Sequence, residues 1–380
     1  MTVTVDKARG CLLGQAVGDA LGAPLEGLSR DRILRYCGQV RGYLDSPPPW
    51  LGRLGRAHVP GLYTDDTQQA LLIADVLIEG RRFDPELARR KYLELARPVA
   101  GLPRGAHRSH RGNFRAALER MAADVPTLET GVASAGNGAA MRVAPIGLWY
   151  ADEPEGLRQA AIQASLQTHA DPRGVSAAVA LAYLVGYLAT KAVASREEVL
   201  AALQATQAFT QEAEGVLSAG SGLSHNGQGP SPRFSGALLV LEGLGDLPAW
   251  DALRSIVIEA NRQQPQHPVA SPSDRFASAS VITAIYLALY SPTLEEAVVR
   301  AINLGGDADT MGAMTGALAG ARWGAGAIPP AWLEGLANRE GILSRADALV
   351  GGQKAAGEWQ DLPSVERRLS LALERRREGW

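Results

Sequence analysis

Apolar side chains recur along this chain at positions i, i+3, i+4 and i+7, which places them on one face of an α-helix. Residues 69–77, 238–241 and 281–289 follow this pattern. Residues 177–189 form an apolar run that is too short to cross a membrane and is typical of a buried helix. No stretch alternates apolar and polar residues over enough positions to require a sheet. The pattern predicts an all-α protein.

Helix beginnings are marked by a second pattern. Ser195 and Thr293 each precede a glutamate by three residues, which is the spacing of a capping box. We therefore predict surface helices over residues 196–208 and 294–302. Residues 366–377 have a basic amphipathic pattern, and we expect a solvated surface helix there.

Breaks in the helical pattern fall at residues 46–61, 220–232 and 263–272, where Gly, Ser and Pro are frequent. None has the length or low complexity of an interdomain linker. The sequence predicts one compact domain over the whole chain, residues 1–380. Its motif-bearing core covers about residues 8–335, and a C-terminal helical extension covers 336–380.

Composition excludes several functional classes. Apolar residues make up 46% of the 380 residues, and 38 Lys and Arg stand against 40 Asp and Glu, so no overall basic charge indicates a nucleic-acid partner. Cys11 and Cys37 alone cannot form a cysteine-rich zinc site. The first residues lack the apolar core of a signal peptide. We expect a cytoplasmic protein with no membrane partner, and a monomer because no coiled-coil seam is present.

Two short motifs concentrate carboxylate and hydroxyl oxygens. They are Thr64-Asp65-Asp66-Thr67 and Asn303-Leu304-Gly305-Gly306-Asp307-Ala308-Asp309-Thr310, and each opens a helix-like run. Helix capping explains one such residue better than four in succession. Hard cations such as Mg²⁺ prefer these oxygen ligands, and no EF-hand pattern points to Ca²⁺. The two motifs brought face to face would make a catalytic two-metal site.

Small residues dominate two of the predicted helices. Glycines stand at positions 10, 14, 18 and 22, and residues 310–321 are similarly rich in Gly and Ala. Such faces allow helices to pack very closely. Asp19 lies within the first of these helices, where a buried acid needs a partner. Glu26 follows a Gly/Pro break and is placed to form a flap over a site.

Two further segments gain meaning only together. The first segment, taken alone, is a turn before a helix: Gly136-Asn137-Gly138-Ala139-Ala140-Met141-Arg142. The second contains a histidine that, taken alone, would be structural: His169 in Thr168-His169-Ala170-Asp171. As a set, an amide, backbone N–H groups and an imidazole can hold a diphosphate or a ribose.

These segments, in this order and spacing, resemble the ADP-ribosylglycohydrolase family over about residues 10–332. The resemblance implies a compact all-α fold with two Mg²⁺ ions in a central cleft, Mn²⁺ being a possible substitute. It also implies hydrolysis that releases ADP-ribose from an ADP-ribosylated protein side chain, nucleic acid or small metabolite. Nucleic acid is expected only as such a substrate.

The resemblance also implies roles for individual residues. Glu26, Asp65 and Asp309 would be catalytic, with Glu26 exchanging a proton near the scissile bond. Asp19 is placed with the substrate-binding residues, and we expect it to support the site geometry from behind. The implied metal ligands are Thr64, Asp65, Asp66, Asp307, Asp309 and Thr310. The other implied substrate-binding residues are Ser134, Asn137, Gly138, Met141 and His169.

One segment departs from the family pattern. Arginine-specific relatives carry an acid in a turn that matches residues 109–115, where this chain has none. Arg104, His107 and Arg108 stand nearby, so a guanidinium leaving group would find little electrostatic complementarity there. The sequence favours an anionic or neutral leaving group.

Two alternatives remain open at this stage. A catalytically silent ADP-ribose-binding protein would be expected to lose metal ligands, and none is lost here. A Mg²⁺-dependent phosphoesterase is compatible with paired aspartates, although no P-loop is present. The product separates them: free ADP-ribose, nothing, or inorganic phosphate and AMP.

Overall fold

The computed structural model describes residues 2–44, 58–108, 112–220, 233–351 and 360–378. Within these ranges the chain forms α-helices and short 3₁₀ turns, and its β-contacts are isolated bridges. The prediction of an all-α protein is confirmed. Most of the predicted loops at 46–61 and 220–232, and part of the 109–115 segment, lie outside the described residues.

The α-helices are numbered in chain order over the described residues. They are α1 Val5–Gly22, α2 Arg30–Cys37, α3 Asp65–Gly80, α4 Pro85–Leu95, α5 Gly112–Ala122, α6 Ala144–Trp149, α7 Pro154–Leu166, α8 Pro172–Thr190, α9 Arg196–Gly220, α10 Phe234–Leu238, α11 Ala249–Gln263, α12 Ala277–Tyr290, α13 Leu294–Ile302, α14 Ala308–Trp323, α15 Pro330–Gly335, α16 Arg339–Gly351 and α17 Leu362–Glu378.

The apolar runs form the predicted helices. Residues 69–77 lie in α3 and 281–289 in α12, whereas residues 239–243 form a 3₁₀ turn after the short α10. Both capping hydroxyls accept a hydrogen bond from the backbone N–H of the glutamate three residues on. The predicted starts of α9 and α13 are therefore confirmed, and α9 continues to Gly220, beyond the predicted end.

Helices α1 and α14 pack antiparallel along their glycine faces. A Cβ atom at Gly14 would lie 2.3 Å from the carbonyl oxygen of Gly316, and one at Gly18 would lie 2.0 Å from that of Gly312. No side chain larger than hydrogen fits such a contact. The predicted close packing of the small-residue helices is confirmed, and it brings the C-terminal end of α1 beside the N-terminal end of α14.

One hydrophobic cluster connects the described helices, from Val3 in the first residues to Leu362 in α17. Helix α8 lies inside it: by length and composition α8 is apolar enough to cross a membrane, yet 78% of its most apolar stretch is buried within the protein. Burial of this degree is typical of a core helix.

The C-terminal helix α17 is not simply a solvated surface element, and that prediction is wrong for its inner face. Glu366 is fully buried and accepts hydrogen bonds from the Tyr63 hydroxyl and the Gln68 amide, both at 2.6 Å. It also forms an ion pair of 2.7 Å with Arg108. A buried carboxylate requires such partners, and they fix α17 against α3.

Candidate active site

The N-terminal end of α3 is held by Asp19 of α1. Its carboxylate accepts hydrogen bonds from the backbone N–H and hydroxyl groups of Thr64 and Thr67, at distances of 2.6 to 3.0 Å. Asp19 has no exposed surface. The structure therefore places it behind the first acidic motif, where it orients the motif and cannot contact a substrate.

The start of α3 at Thr64 and Asp65 lacks the usual side-chain cap. Thr64 occupies the N-cap position of α3, but its hydroxyl makes no capping hydrogen bond and instead contacts Asp19 and the Asp66 carboxylate. The motif is thus not explained by helix capping. Asp65 and Asp66 extend from the first turn, where the positive end of the helix favours carboxylates.

The second acidic motif is joined to the Glu26 segment through Gly305 and Gly306. Both glycines have positive φ, 73° and 66°, and a Cβ at Gly305 would lie 2.2 Å from the carbonyl oxygen of Leu28. Gly306 donates to Leu28 and accepts from Gly27, both at 2.7 Å. Only glycine permits this backbone and this approach, which fixes Glu26 beside Asp307.

Carboxylates from both motifs converge at this place. Oxygen atoms of Glu26, Asp307 and Asp309 lie within 4.8 Å of one another, the arrangement of a possible metal site. The Thr310 side chain hydrogen-bonds to Asp66 and so links the second motif to the first. The predicted meeting of the two motifs is confirmed, and Glu26 joins them.

Burial and mutual repulsion raise the pKa values of these carboxyl groups. Burial raises the pKa of Asp65 to about 7, with further contributions from the charges of Asp19 and Glu26. The pKa values of Asp66 and Asp309 lie well above the ordinary range, first through burial and then through neighbouring carboxylates. A site that resists ionisation in this way is one that a bound cation would stabilise.

The side chains fit a divalent cation. Asp66 Oδ1 is buried and has no hydrogen-bond partner among the described residues, although buried carboxylate oxygens are normally satisfied. It lies among the carboxylates and hydroxyls that hard cations prefer. The first and second motifs together supply the oxygen donors that Mg²⁺ or Mn²⁺ requires.

Asn137 reaches the same cluster. Its amide donates to Asp307 Oδ2 at 2.7 Å, and its backbone N–H donates to the carbonyl oxygen of Arg275 at 3.0 Å. Ser134 lies nearby, and its hydroxyl accepts from the Asn113 amide at 2.6 Å. Asn137 therefore touches the acidic cluster directly, whereas Ser134 orders the turn before it.

His169 and Gly138 are in contact, as a shared binding surface requires. A Cβ at Gly138 would lie 2.8 Å from Cε1 of the His169 ring. Burial lowers the pKa of His169 to about 3, with a contribution from Arg142, so the ring is neutral near pH 7. Met141 is buried, and its carbonyl oxygen accepts from the Gln15 amide at 2.8 Å.

Comparison with known proteins agrees with this geometry. The family model described as ADP-ribosylglycohydrolase matches residues 1–358. This chain belongs to the ADP-ribosylglycohydrolase family. Family membership makes it a hydrolase acting on ADP-ribosylated substrates.

Relatives within the family are similar over most of their length. ADP-ribosylhydrolase ARH3 of Gallus gallus is 31% identical, covering 85% of this chain and 87% of its own. ADP-ribosylarginine hydrolase Tri1 of Serratia proteamaculans is 26% identical, covering 91% and 79%. A solved structure titled ADP-ribosylglycohydrolase-related protein complex superposes with a TM-score of 0.63 at 32% identity, covering 92% of this chain and 98% of that one.

Two arginines of this family member were missed by the sequence reasoning. Arg275 forms ion pairs with Glu26 at 2.5 Å and with Asp307 at 3.0 Å. Arg142 is buried and donates to Gln69 at 2.5 Å, while Gln69 donates to Asp65 at 3.1 Å. Arg275 lies in an irregular loop far from Glu26 in sequence, so no local pattern could have identified it.

The cationic stretch that was predicted to face the leaving group has a different role. His107 is buried, and Arg108 is almost fully buried in its ion pair with Glu366 of α17. Arg108 belongs to the packing between α3 and α17, and the His107 ring lies 4.4 Å from that of Phe114 in α5, so that prediction is corrected for these two residues. Arg104 remains exposed.

Proposed function

We propose that this family member is a Mg²⁺-dependent hydrolase that cleaves the glycosidic bond at the anomeric carbon of ADP-ribose and releases free ADP-ribose. The observation that carries the proposal is the group of Glu26, Asp307 and Asp309, whose oxygens lie within 4.8 Å of one another. Asp66 of the first motif lies close to Asp307, and its Oδ1 is buried without a hydrogen-bond partner among the described residues. Burying several carboxylates together is unfavourable unless a cation compensates them. A binding protein without catalysis would not need to keep such a cluster.

The proposed ligands come from the ends of two helices. Two Mg²⁺ ions, or Mn²⁺ in their place, would be held by the oxygens of both motifs. When bound, they supply positive charge that offsets the carboxylates and orients ribose hydroxyls. The proposed ligands are Thr64, Asp65, Asp66, Asp307, Asp309 and Thr310.

Glu26 is the proposed proton carrier. Its side chain is 36% exposed, whereas the Asp307 side chain beside it is 7% exposed. Glu26 can therefore meet a substrate or water while it remains among the buried carboxylates. A general base must lie within hydrogen-bond reach of the proton that it takes, and the backbone contacts of Gly27 and Leu28 fix Glu26 at this position.

The bond changes balance as follows. The bond between the anomeric carbon and the acceptor atom breaks, and its electron pair stays on the acceptor. Positive charge develops on the anomeric carbon and the ring oxygen, as in glycoside cleavage generally. The oxygen of a water molecule bonds to the anomeric carbon, one of its protons passes to Glu26, and Glu26 then delivers that proton to the acceptor oxygen, which returns the carboxylate to its starting state.

The acceptor that we propose is linked through oxygen and carries no positive charge. The reason is that residues 109–115 carry no acid where arginine-specific relatives have one, so this segment offers no carboxylate to a guanidinium leaving group. Adenosine, diphosphate and ribose would contact the turn at Asn137 and Gly138 and the ring of His169.

The test is product identification from a panel of arginine-, serine- and phosphate-linked ADP-ribose substrates, with Mg²⁺ and with EDTA. We expect free ADP-ribose from an oxygen-linked substrate with Mg²⁺ and none with EDTA. Inorganic phosphate or AMP as the product would indicate a phosphoesterase instead. Release from the arginine-linked substrate at the highest rate would refute the proposed acceptor class while leaving the reaction intact.

A further inference from the structure

Arg275 is an unexpected component of the acidic cluster. The cluster brings together six carboxylates, and among the described residues Arg275 is the one cation in ion-pair contact with any of them. Its Nε–H donates to Asp307 Oδ1 at 3.0 Å, and its Nη2 donates to Glu26 Oε1 at 2.5 Å. The carboxylates are Asp19, Glu26, Asp65, Asp66, Asp307 and Asp309.

The guanidinium pairs with the same side chains that suit a metal. Glu26 and Asp307 are two of the three residues whose oxygens lie within 4.8 Å of one another, and Arg275 connects them. A carboxylate oxygen that accepts a charged hydrogen bond is less available to a metal ion, because both cations use the same lone pairs. Arg275 and a metal ion therefore oppose each other at Asp307, which is a proposed metal ligand.

The Arg275 side chain is able to leave the cluster while its backbone stays in place. The side chain is 70% exposed, so rotation into solvent displaces no packed group. Its backbone carbonyl is held by the Asn137 N–H at 3.0 Å, and the next residue, Phe276, donates its N–H to Asp274 at 2.9 Å. The loop is fixed by these bonds, and the guanidinium is tethered to it.

We propose that Arg275 is an internal counter-cation: in the metal-free protein it binds Glu26 and Asp307, and it competes with the metal for Asp307, a proposed metal ligand. This inference rests on the metal site of the proposed function. Arg275 has a positioning role, because its guanidinium holds Glu26 against the cluster until a bound metal ion compensates the negative charge of the carboxylates instead. The resident guanidinium lowers metal affinity and stabilises the empty site.

The test is calorimetric titration of EDTA-treated, dialysed protein with Mn²⁺, comparing wild type with Arg275→Gln at one ionic strength. We expect the Mn²⁺ dissociation constant of Arg275→Gln to fall by about three- to tenfold, the range given by losing two partly exposed ion pairs. Arg41→Gln is the matched control, because Arg41 also connects two carboxylates, Glu295 and Glu296, away from the cluster. The Mn²⁺ dissociation constant of Arg41→Gln should equal that of the wild type.

A conservative variant separates competition from a structural role. Arg275→Lys keeps the charge but lacks the planar guanidinium that reaches both carboxylates. Its Mn²⁺ dissociation constant should therefore lie between those of the wild type and Arg275→Gln. An unchanged or weaker affinity in Arg275→Gln, with unfolding as cooperative as in wild type, would overturn the inference. If neither wild type nor variant binds Mn²⁺, the proposed metal site itself fails, which is a different result.

Discussion

At the scale of single residues, Asp66 is placed for binding rather than for stability. Its carboxyl group is buried, its pKa is raised well above the ordinary range by burial and neighbouring charges, and one oxygen has no hydrogen-bond partner among the described residues. Functional sites commonly retain such unfavourable arrangements, and relieving them stabilises the protein.

Asp66→Asn should therefore raise the free energy of unfolding of the metal-free protein by about 1 kcal/mol, because it removes one buried charge from a repulsive cluster. The same change should weaken Mg²⁺ binding by about tenfold or more. Urea denaturation in EDTA and calorimetric titration measure the two effects. Asp75→Asn is the control, since Asp75 is equally buried but pairs with Arg345 at 2.7 and 3.0 Å.

The control should behave in the opposite way. Leaving Arg345 buried without its counter-charge costs about 3–5 kcal/mol of stability, while Mg²⁺ affinity stays at the wild-type level. If Asp66→Asn lowered the free energy of unfolding as much as Asp75→Asn, the carboxylate cluster would not be the unfavourable arrangement described above.

His169 gives the stability a dependence on pH. Its pKa is lowered from 6.5 to about 3 by burial, so the unfolded chain binds a proton between these pH values and the folded protein does not. Stability is therefore lost as pH falls below about 6.5, at a rate approaching 1.4 kcal/mol per pH unit. His169→Asn keeps a donor or acceptor near Thr168 and removes this titration.

The measurement is the difference in unfolding free energy between wild type and His169→Asn from pH 8 to pH 4.5. We expect a constant difference above about pH 7.5 and, below about pH 6.5, a shift in favour of the variant. A difference that stays constant over the whole range would show that folding does not lower the pKa of His169.

At the scale of elements, the contact between α1 and α14 sets the geometry of the site, because Asp19 in α1, Glu26 after it and Asp307 before α14 all lie at the same end of this antiparallel contact. Gly18→Ala would place a Cβ 2.0 Å from the Gly312 carbonyl oxygen. We expect a loss of about 3 kcal/mol or more in unfolding free energy and weaker metal binding, because the helices must separate. Denaturant unfolding and Mn²⁺ titration measure both.

A glycine in another helix provides the comparison. Gly215 lies within α9, and a Cβ there would meet nothing within 4 Å. Gly215→Ala should raise stability by about 0.5–1 kcal/mol through helix propensity alone. Equal effects of the two substitutions would mean that the glycine faces of α1 and α14 do not determine the packing.

Helix α17 supports the segment that carries the first acidic motif. Glu366 contacts Tyr63, which precedes the first acidic motif, and Gln68 on α3. Glu366→Gln should cost about 3 kcal/mol or more, because Arg108 loses its buried counter-charge. Ser364→Ala is the control on the exposed start of α17, where the Ser364 N–H and hydroxyl donate to the Asp361 carboxylate, and it should cost less than about 1 kcal/mol.

At the scale of the whole molecule, the sequence was sufficient for the parts of the fold that depend on local spacing. The helical runs at 69–77, 177–189 and 281–289, both capping residues and the glycine faces are local features that predicted their elements, whereas residues 239–243 form a 3₁₀ turn instead of the predicted helix. The two acidic motifs could be brought together because their oxygen chemistry requires a shared cation. Chemistry of this kind links residues that are distant in sequence.

Arg275 and Glu366 could not be predicted, for a common physical reason. Each forms its decisive ion pair with a residue more than 240 positions away, and isolated Arg and Glu residues occur throughout the surfaces of helical proteins. The basic pattern of residues 366–377 also described the exposed face of α17 and concealed the buried carboxylate. Only the packing of α17 on α3 shows its role.

The most direct test of the account is metal-dependent release of free ADP-ribose by wild type and Asp307→Asn, with Asp75→Asn as the control for lost stability. Asp307 accepts hydrogen bonds from both Arg275 and Asn137 and belongs to the group of carboxylates that could hold a metal ion. We predict Mg²⁺-dependent release by wild type and by folded Asp75→Asn, and a loss of about a thousandfold or more in Asp307→Asn. Full activity of Asp307→Asn, or undiminished release by the wild type in EDTA, would contradict the account.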